Sequence, residues 1–502
     1  MANNARSEYF RDKGLLPFQV KFAQSFLESE HLPFQELVLP PGTGKTRMAV
    51  ALITYEMKLS THKRILVLAQ TAILNQWKSE LISMLLSEGQ TITPLIVDRK
   101  MYLELESSVS PGESPWPTTG IVLMSIDFAK RDDIAPSIMS VDWDFVIFDD
   151  SHLLRGKRRV FFNLLQKSGV VRRALLLTNS PSHLRGIVSS QVKYSDIVDW
   201  NERSLFPSFK KQLISVRYNR TDLERSFLNK LHEFVRSLSN MQSFGKLYEV
   251  IIIRNATSSM YAIDGMLRRL RDAWNPVRNR MAHGVISATE DTFQKVQKKL
   301  ITVADLLGDS DDVSADINQI RAGMTMQPDQ FLYLFNNLES LLDQIEGIRT
   351  DSKLDALLGY LQKDCKIIDK THICIWTSFR STAQYLISNL QDLKKPLYLM
   401  TGVLEPTERQ SVVRSFREKG GVLITTDASL SGITLEFVNK CINYDLPPNP
   451  QVFEQRWGRF LRLGRNTDFE MVILRDESNS LPWEEDLAKA IEDTLLPEGS
   501  NS

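Results

Sequence analysis

Short apolar runs recur along the first 200 residues: ELVL (36–39), RILVLA (64–69), TPLIV (93–97), GIVLM (120–124), DFVIF (144–148) and RALLL (173–177). Between most of them lie longer stretches with apolar residues at helical spacing, such as TRMAVALITYEM and AILNQWKSELISMLL. Short runs that are apolar on both sides fit buried strands, and their alternation with helices predicts parallel βαβ units. The same alternation returns near residue 370 with HICIWT, PLYLM, GVLITT, KCINYD and FEMVIL. The expected fold is therefore α/β, with two parallel-sheet lobes in tandem.

The intervening stretch has few β-rich runs and many helix-period ones, such as DLERSFLNKLHEFVRSL and DTFQKVQKKLITVADLL. It predicts a mainly helical insertion between the lobes. The expected organisation is an N-terminal lobe over 1–200, a helical insertion over 201–350, a C-terminal lobe over 351–480 and an acidic tail over 481–502. A chain of 502 residues has room for about three domains at roughly 150 residues each.

Composition narrows the function. The formal net charge is zero, so binding to nucleic acid, if present, must come from local patches. RRLRDAWNPVRNR (268–280) and RGKRR (155–159) are the densest. No apolar run approaches the roughly 20 residues needed to cross a bilayer. The opening MANNARSEYFRDKG has no apolar core, so a secretory leader is not expected. Cys365, Cys374 and Cys441 lack metal-ligand spacing and read as reduced thiols of a cytoplasmic protein.

The candidate chemistry begins after ELVL, where the chain runs PPGTGKTRMAVALI. A strand, a Gly-rich turn and a helix opening on Lys-Thr form a phosphate-binding arrangement. Gly42, Thr43 and Gly44 would curl the backbone so that its amides face phosphate, Lys45 would reach the β- and γ-phosphates, and the Thr46 hydroxyl would ligate Mg²⁺. Leu39 stands where the full pattern has glycine. Downstream, FVIFDDSH ends a strand on an acid pair. Asp149 is placed to hold the metal and Asp150 to orient the attacking water. The second position is usually glutamate. The aspartate retracts its carboxylate by roughly 1.5 Å, and about 1 Å of misplacement can cost around 10²-fold.

Taken together these motifs resemble a superfamily-two helicase-type ATPase, nearest the Swi/Snf branch. PFQ at 17–19 is similar to the adenine-reading glutamine motif, which assigns Gln19 to ATP. LVLAQTAILNQWKSEL is similar to the family's next motif, with Gln70 in place of the usual proline and Trp77 matching. DDSH stands where the family has Asp-Glu-x-His, and LLLTNSP keeps Thr178 but departs at Asn179 and Ser180. In the second half, VLITTDASLSGITLEFVNKCINYDLPPNPQVFEQRWGRFLRLGR (422–465) is the strongest match. The resemblance implies two RecA-like lobes, with Arg459 and Arg462 neutralising charge on the transferring phosphoryl group. It places Gln455 in the ATP site, and His152, Thr178 and Gly432 in coupling. An arginine so placed is worth about 10³–10⁵ in rate.

The resemblance also implies a nucleic-acid track, gripped by Thr71, Ser125, Ser378 and Thr426, with Arg268, Arg269 and Arg271 of the insertion available to phosphates. The leading expectation is an ATP- and Mg²⁺-dependent translocase on duplex DNA, with RNA also open as the track. It would work with other protein subunits, away from membranes, in a prokaryotic or viral system. The alternatives are a strand-separating helicase on DNA or RNA, and a nucleotide-gated scaffold with impaired hydrolysis. A further alternative is an embedded ribonuclease, because Arg278 and His283 have the Arg-x4-His spacing of HEPN ribonucleases.

Overall fold

The computed structural model describes residues 2–29, 31–110, 112–193, 196–203, 205, 211–239, 246–282, 328–363, 371–430, 433–446, 453, 456–460, 465 and 467–477. The chain forms two compact units. The first comprises 1–208 with two later segments, 431–436 and 454–466; the second comprises 209–430, 437–453 and 467–502.

The first unit is built on a seven-stranded sheet. Its strands are β1 (Phe34–Val38), β2 (Arg64–Ala69), β3 (Leu95–Ile96), β4 (Gly120–Ser125), β5 (Phe145–Phe148), β6 (Ala174–Thr178) and β7 (Val188–Gln191). They lie in the order β3-β4-β2-β5-β6-β1-β7, and all the pairings are parallel. β1, β5 and β6 are buried along their whole length, as strands covered on both faces must be. One face packs Leu37, Ile65, Val67, Ile147 and Leu175 against the helix Lys45–Leu59, which buries Met48, Val50 and Ile53. Each such side chain contributes roughly 1.5–3 kcal/mol by leaving water. Parallel strands all end on the same edge of the sheet. That edge gathers the turn after β1, Gln70, Asp149 and Asn179 into one crevice, where open α/β sheets bind ligands.

The second unit carries a six-stranded parallel sheet in the order β10-β11-β9-β12-β13-β8. Its strands are β8 (Lys211–Tyr218), β9 (His372–Thr377), β10 (Leu397–Met400), β11 (Gly421–Thr426), β12 (Lys440–Asn443) and β13 (Phe469–Asp476). β8 lies inside the stretch expected to be a helical insertion, and it pairs residue for residue with β13. An apolar run does not announce it, because KQLISVRY interleaves polar residues with apolar ones, as an edge strand can. β7 (VSSQ) is likewise unannounced: it is exposed throughout and carries a single apolar residue.

Apart from short connections, the remainder of the 201–350 stretch is helical where it is described: Asp222–Ser239, Lys246–Ser258, Met260–Ala282 and Pro328–Glu346. These helices share one core of Phe227, Leu231, Phe234, Leu270, Trp274, Phe331, Phe335 and Leu338. No described helix is long and apolar enough to cross a membrane. Cys374 and Cys441 are buried free thiols; Cys365 and the acidic tail lie outside the described residues.

A buried polar cluster holds the helices to the second sheet. Lys353 Nζ lies 2.9 Å from Asp445 Oδ1 and donates to the Thr257 carbonyl at 2.9 Å. Asp445 Oδ2 accepts from Ser258 Oγ at 2.9 Å, from the Ser378 amide at 3.0 Å and from the Thr377 hydroxyl. Burial opposes ionisation of Asp445, but Lys353 and these donors outweigh it and hold the carboxyl below the ordinary carboxylate range. Lys353→Met would leave that charge uncompensated and is expected to destabilise the second unit by about 3–5 kcal/mol, read from urea unfolding. The sign of the pH effect follows. Because the native pKa is depressed, the stabilisation is present above the unfolded carboxylate pKa of about 4 and is lost as pH falls towards the native one.

Candidate active site

The turn after β1 has the geometry of an anion cradle. Gly42 and Gly44 adopt φ of 76° and 84°, in the left-handed region that glycine enters without a steric penalty. A Cβ on Gly44 would also fall 2.8 Å from Gln19 Nε2. The buried Gln19 amide donates to the Thr43 carbonyl at 2.9 Å, while its Oε1 accepts from the Leu16 amide at 2.8 Å. Gln19 thus braces the turn from behind. Thr43 Oγ1 donates to the Pro40 carbonyl at 2.7 Å, and Lys45 Nζ folds back to the Leu39 carbonyl at 3.4 Å. Lys45 and Thr46 open the helix, so its first amides and the positive end of its dipole face the same place.

The acid pair sits at the end of β5, two strands from β1 in the sheet. Asp149 Oδ2 accepts from the Trp77 indole at 2.8 Å, and its Oδ1 accepts from the Asp150 amide at 3.1 Å. Burial and then the neighbouring Asp150 charge push the Asp149 carboxyl up to about 7, against the pull of Trp77 and Lys45. Asp150 itself adopts φ 56°, ψ 51°, a left-handed conformation unusual for a residue with a side chain, and its Oδ2 accepts from Gln70 Nε2 at 3.0 Å. His152 is buried, with Nδ1 3.4 Å from Thr178 Oγ1. Burial, with Lys45 and Arg155 nearby, lowers its pKa against the opposing pull of Asp150, which favours the neutral imidazole.

Behind this edge is a residue the sequence reading did not single out. Glu36, in the middle of β1, is 2% exposed and accepts from Ser151 Oγ at 3.2 Å, the Ser182 amide at 3.2 Å and Ser189 Oγ at 3.0 Å. It ties the loop carrying the acid pair to the turn after β6. The signal is a charged residue at the head of the apolar run ELVL, where a buried carboxylate persists only if hydrogen-bonded.

The arginine segment belongs to the same compact unit as the cradle. Gly458 lies against the phosphate turn so closely that a Cβ on it would fall 2.1 Å from Pro41 Cβ. The next residue, Arg459, is half-buried, and its carbonyl accepts from the Leu435 amide at 2.9 Å. Arg465 closes the segment by donating to the Glu436 carbonyl at 2.6 Å. Gln455, Arg462 and Gly432 lie outside the described residues.

The residues expected to grip a track are scattered in exposure. Thr71 is exposed, Ser125 and Ser378 are half-buried and Thr426 is buried. Ser125 caps the helix that follows it, accepting from the Phe128 amide at 3.0 Å. Ser378 Oγ accepts from Arg254 at 3.1 Å. Arg268 pairs with Asp264 and Glu346, and Arg271 with Asp272, so this helix face carries mixed charge. Arg269 is half-buried. Arg278 is exposed, with its guanidinium 4.8 Å from the Phe335 ring centroid, and His283 lies outside the described residues.

The donors present suit Mg²⁺. Among the described residues no three His, Cys, Asp or Glu side chains converge on a metal-sized space. Mg²⁺ in a nucleotide site is held by one or two protein oxygens together with phosphate and water, and the Thr46 hydroxyl and Asp149 carboxylate are such oxygens. A carboxylate strained by burial and a like charge is also one that a divalent cation would relieve.

A phosphate cradle, an acid pair on one sheet edge and an arginine segment packed on that cradle define an ATPase of the helicase type. Comparison with known proteins agrees. Residues 13–177 match the family model for the type III restriction enzyme res subunit, and residues 352–464 match the helicase conserved C-terminal domain. An ATP-dependent helicase of Bacillus subtilis, YqhH, is 25% identical over 90% of this chain and 74% of its own length. The RNA polymerase-associated protein RapA of Proteus mirabilis is 20% identical over 91% of this chain and 47% of its own, so the chain spans about half the length of that relative. The Pyrococcus furiosus Hef helicase domain superposes with a TM-score of 0.49 at 16% identity, covering 93% of this chain and 97% of that one. The chain belongs to the superfamily-two helicase-type ATPases and has Swi/Snf-like relatives.

Proposed function

We propose that this ATP-dependent nucleic-acid motor translocates along duplex DNA without separating its strands. The observation that carries the reading is the packing of the Arg456–Phe460 segment on the phosphate turn, with Gly458 against Pro41, because it sets an arginine beside the cradle that would hold the triphosphate. In this reading the amides of the turn and Lys45 bind the β- and γ-phosphates. Thr46 and Asp149 would hold Mg²⁺, which would supply charge neutralisation at the phosphates. Asp150 orients the water that attacks the γ-phosphorus, and Arg459 and Arg462 stabilise charge on the equatorial oxygens. His152 and Thr178 join the acid loop to the end of β6, so a change at the phosphates is felt at the next strand end.

The preference for duplex over other tracks draws on the Swi/Snf-like resemblance. The paired arginines of the helix Met260–Ala282 suggest that specificity is supplied by other subunits. The test is ATP turnover with no nucleic acid, single-stranded DNA, duplex DNA and RNA, with displacement of a triplex strand and unwinding of a labelled duplex run alongside. Stimulation by duplex with triplex displacement and no unwinding is the expected result. Stimulation by single strands together with unwinding would replace the translocase by a strand-separating helicase. ATP binding with no stimulated turnover would replace it by a nucleotide-gated scaffold.

A further inference from the structure

Two departures from the family pattern meet in this molecule. Gln70 stands where the resembled motif has proline, and Asp150 where it has glutamate. They lie 80 residues apart in sequence, yet Gln70 Nε2 donates to Asp150 Oδ2 at 3.0 Å. The backbone at Gln70, φ −74° and ψ 143°, is one that proline would adopt unchanged. What glutamine adds is therefore its side-chain amide.

The local architecture gives that amide a task. Asp149 and Asp150 are adjacent carboxylates whose charges repel, and the second is a methylene shorter than the residue usually found there. The stretch from Gln70 to Trp77 meets both. Gln70 at the end of β2 donates to Asp150, and after the short turn Thr71–Ile73, Trp77 donates to Asp149 at 2.8 Å. Each carboxylate is pinned by its own donor. Asp150 also occupies a left-handed backbone conformation, which swings its side chain away from the path an extended residue would take. A hydrogen bond to a charged acceptor is about twice as strong as a neutral one, enough to select one side-chain orientation.

We propose that Gln70 is a positioning residue for hydrolysis: its amide fixes the Asp150 carboxylate in the orientation that meets the attacking water. The inference rests on Asp150 being the water-orienting acid.

The experiment measures kcat and KM for ATP, and binding of a fluorescent ATP analogue, in the full chain. Gln70→Ala is expected to lower kcat about tenfold with KM and analogue binding unchanged within twofold. Gln70→Glu keeps the size and shape of the side chain but sets a like charge against Asp150, so it is expected to lose more than Gln70→Ala. If Gln70 acted by packing alone, the glutamate variant would retain wild-type turnover, and that result overturns the proposal. So does an unchanged kcat in Gln70→Ala. Asp150→Asn separates the two levels. A loss below about threefold there removes the role of Asp150, whereas a large loss there with silent Gln70 variants removes only the role of Gln70.

Discussion

Arg459→Ala is expected to lower ATP turnover about 10³-fold while leaving ATP affinity within a few-fold. The reason is the timing of the charge it meets. Negative charge on the equatorial oxygens of the transferring group is redistributed as the bond to the leaving oxygen stretches, so an arginine aimed there acts in the transition state more than in the ground state. Its backbone is fixed on one side by the Leu435 amide and its neighbour Gly458 is seated on Pro41, so little reorganisation is needed. Arg459→Lys keeps the charge and loses the planar fork, and should recover only part of the rate. Phosphate release measured beside nucleotide binding checks both. Equal loss of binding and turnover would mean that Arg459 serves only to hold ATP.

Lys45→Ala is expected to fail differently. Lys45 sits at the mouth of the cradle and is the cation the turn itself supplies, so its removal weakens ground-state and transition-state binding together. A loss of about 10²–10³-fold in kcat, on the scale of removing one preorganised donor, should come with a raised KM. Titration with the fluorescent analogue reads the binding part directly. Retained turnover in this variant would remove the phosphate turn from the mechanism altogether.

Most of the first lobe was legible in the chain because buried parallel strands are apolar runs. β1, β2, β4, β5 and β6 each lie within one or two residues of a run read from sequence. TPLIV shortens to Leu95–Ile96, the two residues in register with β4, and Val97 adds one further bond to the Leu123 carbonyl at 2.8 Å. β7 and β8 were hidden because edge strands carry polar residues that no periodicity marks as buried. At the site, the spacing of glycines, lysine and acids announces the chemistry, because phosphate and metal demand those groups. The supporting bonds are not announced. Gln70 to Asp150, Trp77 to Asp149 and Glu36 to Ser151 join residues far apart in sequence. Only the order of strands in the sheet brings them together.

The place of β8 has a practical consequence. The outer strand of the second sheet is made before the four described helices of the 201–350 stretch, Asp222–Ser239 to Pro328–Glu346, and its partner β13 is the last described strand. A fragment starting at 351 would strip β13 of its outer neighbour β8 and leave that edge of the ladder open to other chains. Recombinant production of this lobe alone should therefore begin before Lys211. The pairing of β8 with β13 joins strands far apart in sequence, so the ladder cannot close until β13 has been made.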